Sequence, residues 1–362
     1  MKILIAGAGE VGIHLAKMLS REKHDIILMD KDESKLAFTR SGMEILPFEG
    51  NPTSLASLEE AGIDKIDLFV SVTTEETTNI TACMLAAKMG AGKTLARIDN
   101  YEYLLPKNQA FFRSVGIDSM IYPEMLAAKE IVSAVKLPWT RQSWDLLGGT
   151  LILVGVKVRT NAEIVNKQLI ELANKQKFYH IVAIKRQNET IIPRGTDVIK
   201  ADDIVFFTCE KKNIDEVRKQ TGKDDREVKK ILMLGGGRIA IRASQYMPSN
   251  IDIKIIESSR EKSIRISEKV PENVLVINGD ARDTGLLLQE GIQESQAFIA
   301  LSEESEMNIL ACIAAKRFGV LKTIAQVENI DYIPMAEKLD IGSVVNKKLI
   351  AASHIYKLLL DV

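Results

Sequence analysis

Two glycine-rich stretches carry the residue types and spacing that most directly specify chemistry. Gly7-Ala8-Gly9-Glu10-Val11-Gly12 spells G-x-G-x-x-G between an apolar run and a segment of helical spacing, the context in which this motif accommodates a dinucleotide. The first glycine permits a tight turn, the second lets a pyrophosphate approach the backbone, and the third lets helix and strand pack closely. Phosphate then meets the free N–H groups and positive dipole of the helix N-terminus. Asp30 stands 23 residues after Gly7 at the end of the next apolar run, where a carboxylate can accept ribose hydroxyls and repel a 2′-phosphate. NAD or an adenine nucleotide is therefore expected in preference to NADP. Gly235-Gly236-Gly237-Arg238-Ile239-Ala240, with Glu257 22 residues after Gly235, restates the pattern. The alternative for either copy is that its glycines serve only the strand–helix corner.

Further candidates fall at the C-terminal ends of expected strands, where open α/β sheets bind ligands. They are Asn51 and Asp280 after Gly50 and Gly279, the pairs Thr73-Thr74 and Ser302-Glu303, and Arg97 with its counterpart Gln326. Arg97 can pair with phosphate whereas Gln326 supplies no charge, so the two sites should differ in ligand or affinity. No catalytic residue is expected: His14, His24, His180 and His354 do not follow strand ends. No His/Cys/Asp cluster has metal-ligand spacing either. Glu75-Glu76 and Glu303-Glu304 read as first-turn helix charges. Glu124, which follows Pro123, reads either as another such charge or as a contact to a cation or a neighbouring subunit.

What must position these residues is an internal repeat. Lys2 to Asn100 recurs as Lys230 to Asn329, with Phe69 on Phe298, Asn79 on Asn308, Cys83 on Cys312 and Lys93-Thr94 on Lys322-Thr323. Each copy alternates short apolar runs with helical periods, as βαβ units of a parallel sheet do. In the first copy the expected strands are 2–6, 25–29, 44–47, 68–72 and 94–98, and the helices are 9–20, 34–40, 54–61 and 76–89. The second copy has strands at 231–234, 252–256, 274–277, 298–301 and 323–327. Between the copies lie strands at 150–158, 180–185, 190–193 and 203–209, a helix at 163–174 and a hairpin turn at Gln187-Asn188. The expected fold class is α/β, with two Rossmann-like doubly wound parallel-sheet domains separated by a small α+β module. The domains are expected at 1–137, 138–221 and 222–345, followed by a helical tail at 346–362.

Composition limits the partners. Of 362 residues, 48 are Lys or Arg and 49 Asp or Glu, a net charge of −1, so no overall excess of positive charge exists to displace counterions from nucleic acid. A hydrophobic content of 46 % with only 5 % aromatic residues suits buried parallel sheets. Three widely spaced cysteines, Cys83, Cys209 and Cys312, form no disulfide framework. No apolar run reaches the ~18 residues that cross a bilayer, and residues 1–6 do not form a signal peptide. The expectation is an intracellular, soluble chain whose membrane role comes through a partner.

With two such loops flanking a small module, the sequence resembles the TrkA family, regulatory subunits of Trk-type potassium uptake systems built from RCK domains. The resemblance rests on G-A-G-E-V-G with Asp30, Val72-Thr73-Thr74 with Glu75 and Asn79-Ile80, Ala96-Arg97-Ile98, Tyr122-Pro123-Glu124, Ile191 to Thr196 and Asp202-Asp203-Ile204-Val205. It implies two RCK N-type domains around one C-type domain, with the tail as the start of a second C-type domain that is missing. It also implies a non-enzymatic sensor of NAD(H) and/or ATP/ADP, contacting ligand through Gly7 to Val11, Asp30, Thr73, Thr74, Arg97, Gly235 to Ile239, Glu257 and Ser302. The implied partners are a membrane K+ transporter subunit of the TrkH/TrkG kind and further copies of the chain in a tetrameric ring, cytoplasmic and peripheral at the inner membrane face. The rival readings are an NAD-dependent dehydrogenase and a structural scaffold with vestigial nucleotide sites.

Overall fold

In a computed structural model describing residues 1–22, 24–40, 44–175, 177–187 and 189–360, the chain forms two compact units, 1–127 with 346–362 and 128–345. The first unit is built on β1 (Lys2–Ala6), β2 (Asp25–Asp30), β3 (Ile45–Glu49), β4 (Leu68–Ser71), β5 (Lys93–Arg97) and β6 (Ser119–Ile121). They pair in the order β3-β2-β1-β4-β5-β6, all parallel. Ile3, Leu4, Ile5 and Ala6 are fully buried, because a central parallel strand is covered on both faces. On one face Leu15 of helix Glu10–Leu19 packs with Ala351, Ala352 and Ile355 of helix Lys347–Leu360. The opposite face carries Leu58, Ala82, Cys83, Ala86 and Phe112. The expected tail, as far as it is described, is thus a buried layer of the first sheet; its last two residues lie outside the described residues.

The second unit contains two sheets. β7 (Gln142–Leu146), β8 (Leu151–Lys157), β9 (Tyr179–Arg186), β10 (Glu189–Ile191) and β11 (Ile204–Glu210) form an antiparallel sheet in the order β10-β9-β11-β8-β7. β12 (Lys230–Leu234), β13 (Asp252–Glu257), β14 (Val274–Asn278), β15 (Ala297–Ala300), β16 (Lys322–Gln326) and β17 (Ser343–Val345) repeat the first sheet's order and parallel sense. Residues 128–136 of helix Pro123–Lys136 count with this unit, and Lys129 Nζ lies 5.9 Å from the Tyr246 ring centroid.

Two expectations shift, and a third falls partly outside the described residues. The helix read at 163–174 is Leu169–Lys175, because Asn166 takes φ 60° and donates its N–H to Ile199 O at 2.8 Å, breaking the helical hydrogen-bond series. The segment read as an α-helix at 34–40 is a 3₁₀ helix, Glu33–Arg40. Of the turn at Gln187-Asn188, Asn188 lies outside the described residues.

Candidate functional site

The glycine loops begin where the central strands end. Gly7 N–H donates to Met29 O at 2.8 Å and Gly235 N–H to Ile256 O at 2.9 Å, carrying each ladder one residue past β1 and β12. Both residues take positive φ, 110° and 89°, and a Cβ on either would meet backbone of the loop after β4 or β15 within 3.0 Å. Glycine is required there on both counts. Gly12 is required for a different reason, since its Cβ would lie 1.9 Å from Gly7 O.

Gly9 and Gly237 are the N-caps of helices Glu10–Leu19 and Arg238–Tyr246, in extended backbone, and no side chain caps either helix. A Cβ at either position would meet nothing within 4 Å. Each helix therefore presents its first N–H groups and positive dipole end to open space at the tips of the strands. A phosphate fits this combination.

The carboxylates that end β2 and β13 hold the loops. Ala8 N–H donates to Asp30 Oδ2 at 2.7 Å and Asp32 N–H to Asp30 Oδ1 at 3.0 Å. Gly236 N–H donates to Glu257 Oε2 at 3.0 Å and Ser259 N–H to Glu257 Oε1 at 2.9 Å. Both residues are 8 % exposed, so each carboxylate spans two backbone segments at the rim of its crevice. Sequence spacing marks them as ribose acceptors; the structure adds that they fix the shape of the loop.

Behind each crevice sits a buried asparagine. Asn79 Oδ1 accepts from Thr73 N–H at 2.9 Å, from Thr73 Oγ1 at 2.7 Å and from Ser71 Oγ at 2.9 Å, while Asn79 Nδ2 donates to Thr73 O at 3.1 Å and Arg97 O at 3.0 Å. Asn308 accepts from Ser302 N–H and Oγ at 2.9 and 2.8 Å, and donates to Ser302 O and Gln326 O at 2.9 and 2.8 Å. These asparagines tie the ends of the fourth and fifth strands of each sheet together, and with them the positions of Thr73, Arg97, Ser302 and Gln326. The sequence signal for them was their exact correspondence in the repeat.

Other expected site residues have local duties. Asn51 Oδ1 accepts from Thr53 N–H and Oγ1, closing the turn after β3. Asp280 does the same after β14, accepting from Arg282 N–H and pairing with its guanidinium at 2.6 Å. That hydrogen bond holds the Asp280 carboxyl below the ordinary range. Glu10 forms an ion pair with Lys348, Ala8, Val11 and Ile239 are buried, and Thr74 is exposed. Glu124 is buried 3.8 Å from Lys347, and its Oε2 has no hydrogen-bond partner among the described residues.

The two crevices differ in charge. In the first, Arg97 reaches Thr73 O and Asp99 Oδ1 only at 3.5 Å, and its buried Nε has no hydrogen-bond partner among the described residues. The outer Nη donors of this guanidinium, held only by these long contacts, can turn to a ligand oxygen. In the second, Gln326 Nε2 donates to Glu328 Oε1 at 2.8 Å. Cations come instead from Arg238 and from Lys262, Arg265 and Lys269, which with Gly235, Gly236, Gly237, Glu257, Asp280 and Ser302 line a cleft of about 720 Å³. Sequence reading missed these three, because they belong to a neighbouring helix and its end rather than to the strand tips. The three cysteines are buried; burial pushes the Cys209 thiol to about 11 and the Cys312 thiol to about 12, leaving them protonated.

Against known proteins, the TrkA-N domain model matches residues 3–123 and again 231–347, and the TrkA-C domain model matches 153–222. The chain is 32 % identical over 340 residues to the Trk system potassium uptake protein TrkA of Halomonas elongata, covering 93 % of this chain and 74 % of that one. It is 30 % identical over 359 residues to that of Haemophilus influenzae, covering 98 % and 78 %. Among solved structures, the GsuK channel bound to NAD superposes with a TM-score of 0.70 at 15 % identity, over 99 % of this chain and 63 % of that one. The GsuK RCK domain gives 0.68 at 15 % identity, over 99 % and 76 %. At that identity the likeness is one of fold.

Proposed function

This chain belongs to the TrkA family, and on that premise we propose that it is a nucleotide-sensing regulatory subunit of a Trk-type potassium uptake system. The observation that carries the reading is the duplicated, uncapped helix N-terminus: Gly9 and Gly237 leave open space at the phosphate position while Asp30 and Glu257 lock the loops beneath it. Gly7 to Gly12 and Gly235 to Ile239 would receive the phosphates of NAD(H) or ATP/ADP. Asp30 and Glu257 would receive a ribose through their remaining lone pairs, and Arg97, Thr73, Thr74, Asn51, Asp280 and Ser302 would form the rim. The names of the relatives and of the NAD-bound GsuK structure support this choice of ligands and role.

Regulation requires that nucleotide favour one arrangement of the subunits over another, and a coupling of about 1–3 kcal/mol suffices to change a partner's occupancy several-fold. We place the working divisions at 1–137, 138–221 and 222–345, in a tetrameric ring on the cytoplasmic face of a membrane K+ transporter subunit of the TrkH/TrkG kind. Among the described residues, no helix is long and apolar enough to cross a membrane. The function assigned is non-enzymatic. Calorimetric titration of the full chain with NAD, NADH, ATP and ADP tests it, together with a search for NAD reduction using 2-hydroxy acids and amino acids. Binding without turnover is expected. Turnover would make the chain a dehydrogenase, and absence of heat with all four nucleotides would make it a scaffold.

A further inference from the structure

We propose that the second unit carries a separate site for a small phosphate-class oxyanion, in a basic cavity at the N-terminal end of β16. The cavity measures about 300 Å³ and is lined by seven Lys and Arg side chains against three Asp. β16 begins at Lys322 and ends at Gln326, so this cavity lies at the edge of the sheet opposite the glycine loops.

The three carboxylates are already engaged. Asp340 pairs with Arg141 and lies 3.7 Å from Lys157 and 3.4 Å from Lys316; Asp202 lies 3.3 Å from Lys157; Asp224 lies 3.1 Å from Arg159. Among the described residues, neither Lys223 nor Lys322 has a carboxylate within ion-pair distance, and Asp340 acts on Lys223 only from farther away. Lys322 is 3 % exposed, and its Nζ donates to Thr140 O at 2.7 Å and Ser343 Oγ at 2.9 Å, both neutral. An ammonium has three donors, and a buried charge answered only by neutral acceptors is costly unless a counterion joins it. The internal repeat sharpens the point: Lys93, the counterpart of Lys322, is exposed in the first copy. The same residue at the same sheet edge is enclosed only in the second copy, beneath the stretch Pro138 to Arg141.

The cavity selects its ligand class by charge and shape. Arg141 is anchored through Nη1 to Gly342 O at 2.7 Å, so its guanidinium is fixed beside Lys322, and point-charge lysines complete an array suited to a compact tetrahedral dianion. Burial, then the charges of Arg141, Lys223 and Lys316, depresses Lys322 to about 7, while burial, then Arg159, Arg141 and Lys157 against the opposing pull of Asp340, depresses Lys223 to about 8. An anion held among them restores the charged forms, so binding takes up protons.

The test is calorimetry on the full chain with sulfate and pyrophosphate at constant ionic strength, in buffers of different ionisation heat. Sulfate is included because it has no titrating proton near neutrality. The expected result is binding with proton uptake, weakened about ten-fold or more in Lys322→Met and in Lys223→Ala, a loss of at least ~1.4 kcal/mol, and retained in the double variant Gly9→Asp, Gly237→Asp. Thermal melting verifies that each variant folds, and Lys223→Ala carries the test if Lys322→Met does not fold. Competition by ADP in the double variant supports the site with a nucleotide phosphate as its occupant; competition by pyrophosphate alone supports it with free phosphate. Absence of sulfate and pyrophosphate binding at millimolar concentration overturns the proposal, as does binding that survives both lysine substitutions in the Gly9→Asp, Gly237→Asp background.

Discussion

Replacing Gly9 by aspartate separates fold from function in the first crevice. Gly9 occupies the N-cap of helix Glu10–Leu19 with φ −80° and ψ −179°, and its Cβ direction is empty. Aspartate is favoured at such a cap and accepts from the orphan N–H groups of the first turn, improving on glycine by a few tenths of a kcal/mol, with about 0.3–1 kcal/mol more from the helix dipole. The same carboxylate stands where the phosphate is to bind. Two unit charges about 4 Å apart at an effective dielectric constant of about 20 repel by about 4 kcal/mol. That is roughly a thousand-fold loss of affinity, before counting the N–H groups now capped. Gly9→Asp is thus expected to melt no lower than the parent while losing nucleotide at the first crevice. Gly237→Asp is expected to do the same at the second, each leaving the other's isotherm in place. Calorimetry paired with thermal melting reads both quantities. Unchanged affinity in a fully folded Gly9→Asp variant would refute the placement of phosphate on this helix end.

Other consequences follow from the same geometry. Gly12→Ala forces a Cβ to 1.9 Å from Gly7 O and should cost about 3 kcal/mol or more of stability, read from urea midpoints, whereas Ala240→Gly at the matching place should cost about 1 kcal/mol. Asn308→Asp turns two donated hydrogen bonds, to Ser302 O and Gln326 O, into oxygen–oxygen repulsion in a buried site. It should destabilise more than Asn308→Ala, itself about 1–3 kcal/mol, and should weaken nucleotide at the second crevice only. Lys322 falls from 10.5 in the unfolded chain to about 7 in the folded one, so the unfolded state holds the extra proton between those values. Stability should therefore rise with pH from about 7 toward 10, by at most ~1.4 kcal/mol per pH unit for this group, and Lys322→Met should flatten the rise between pH 7 and 8 in urea unfolding and leave above pH 8 the share that Lys223, depressed to about 8, contributes. A slope that persists unchanged in Lys322→Met would assign it to other groups.

Much of this was legible in the sequence, for identifiable reasons. The glycine loops, the strand ends and the repeat are local patterns: Gly7, Gly12 and Gly235 are required by turn geometry and close approach, and Asp30 and Glu257 by their place at the ends of β2 and β13. Three-residue strands such as β6 and β17 escape because they are too short to show a period. The layer formed by helix Lys347–Leu360 on helix Glu10–Leu19 escapes because its contacts join residues more than 300 apart. Side-chain duty is the other blind spot. Glu10, Asn51 and Asp280 occupy the expected places, yet their side chains serve an ion pair and two turns, while Lys262, Arg265 and Lys269 reach the second crevice from an element with no motif. Lys93 and Lys322 are indistinguishable as sequence, and only tertiary packing exposes one and buries the other.

The central claim is that nucleotide sits with its phosphates on the two glycine-capped helix ends. It is tested most directly by a structure of the full chain grown with saturating NAD and, separately, with ADP. The account predicts density in both crevices, phosphate oxygens on the N–H groups that follow Gly9 and Gly237, and a ribose beside Asp30 and Glu257. Density that avoids both helix ends, or empty crevices at saturating nucleotide, would contradict it.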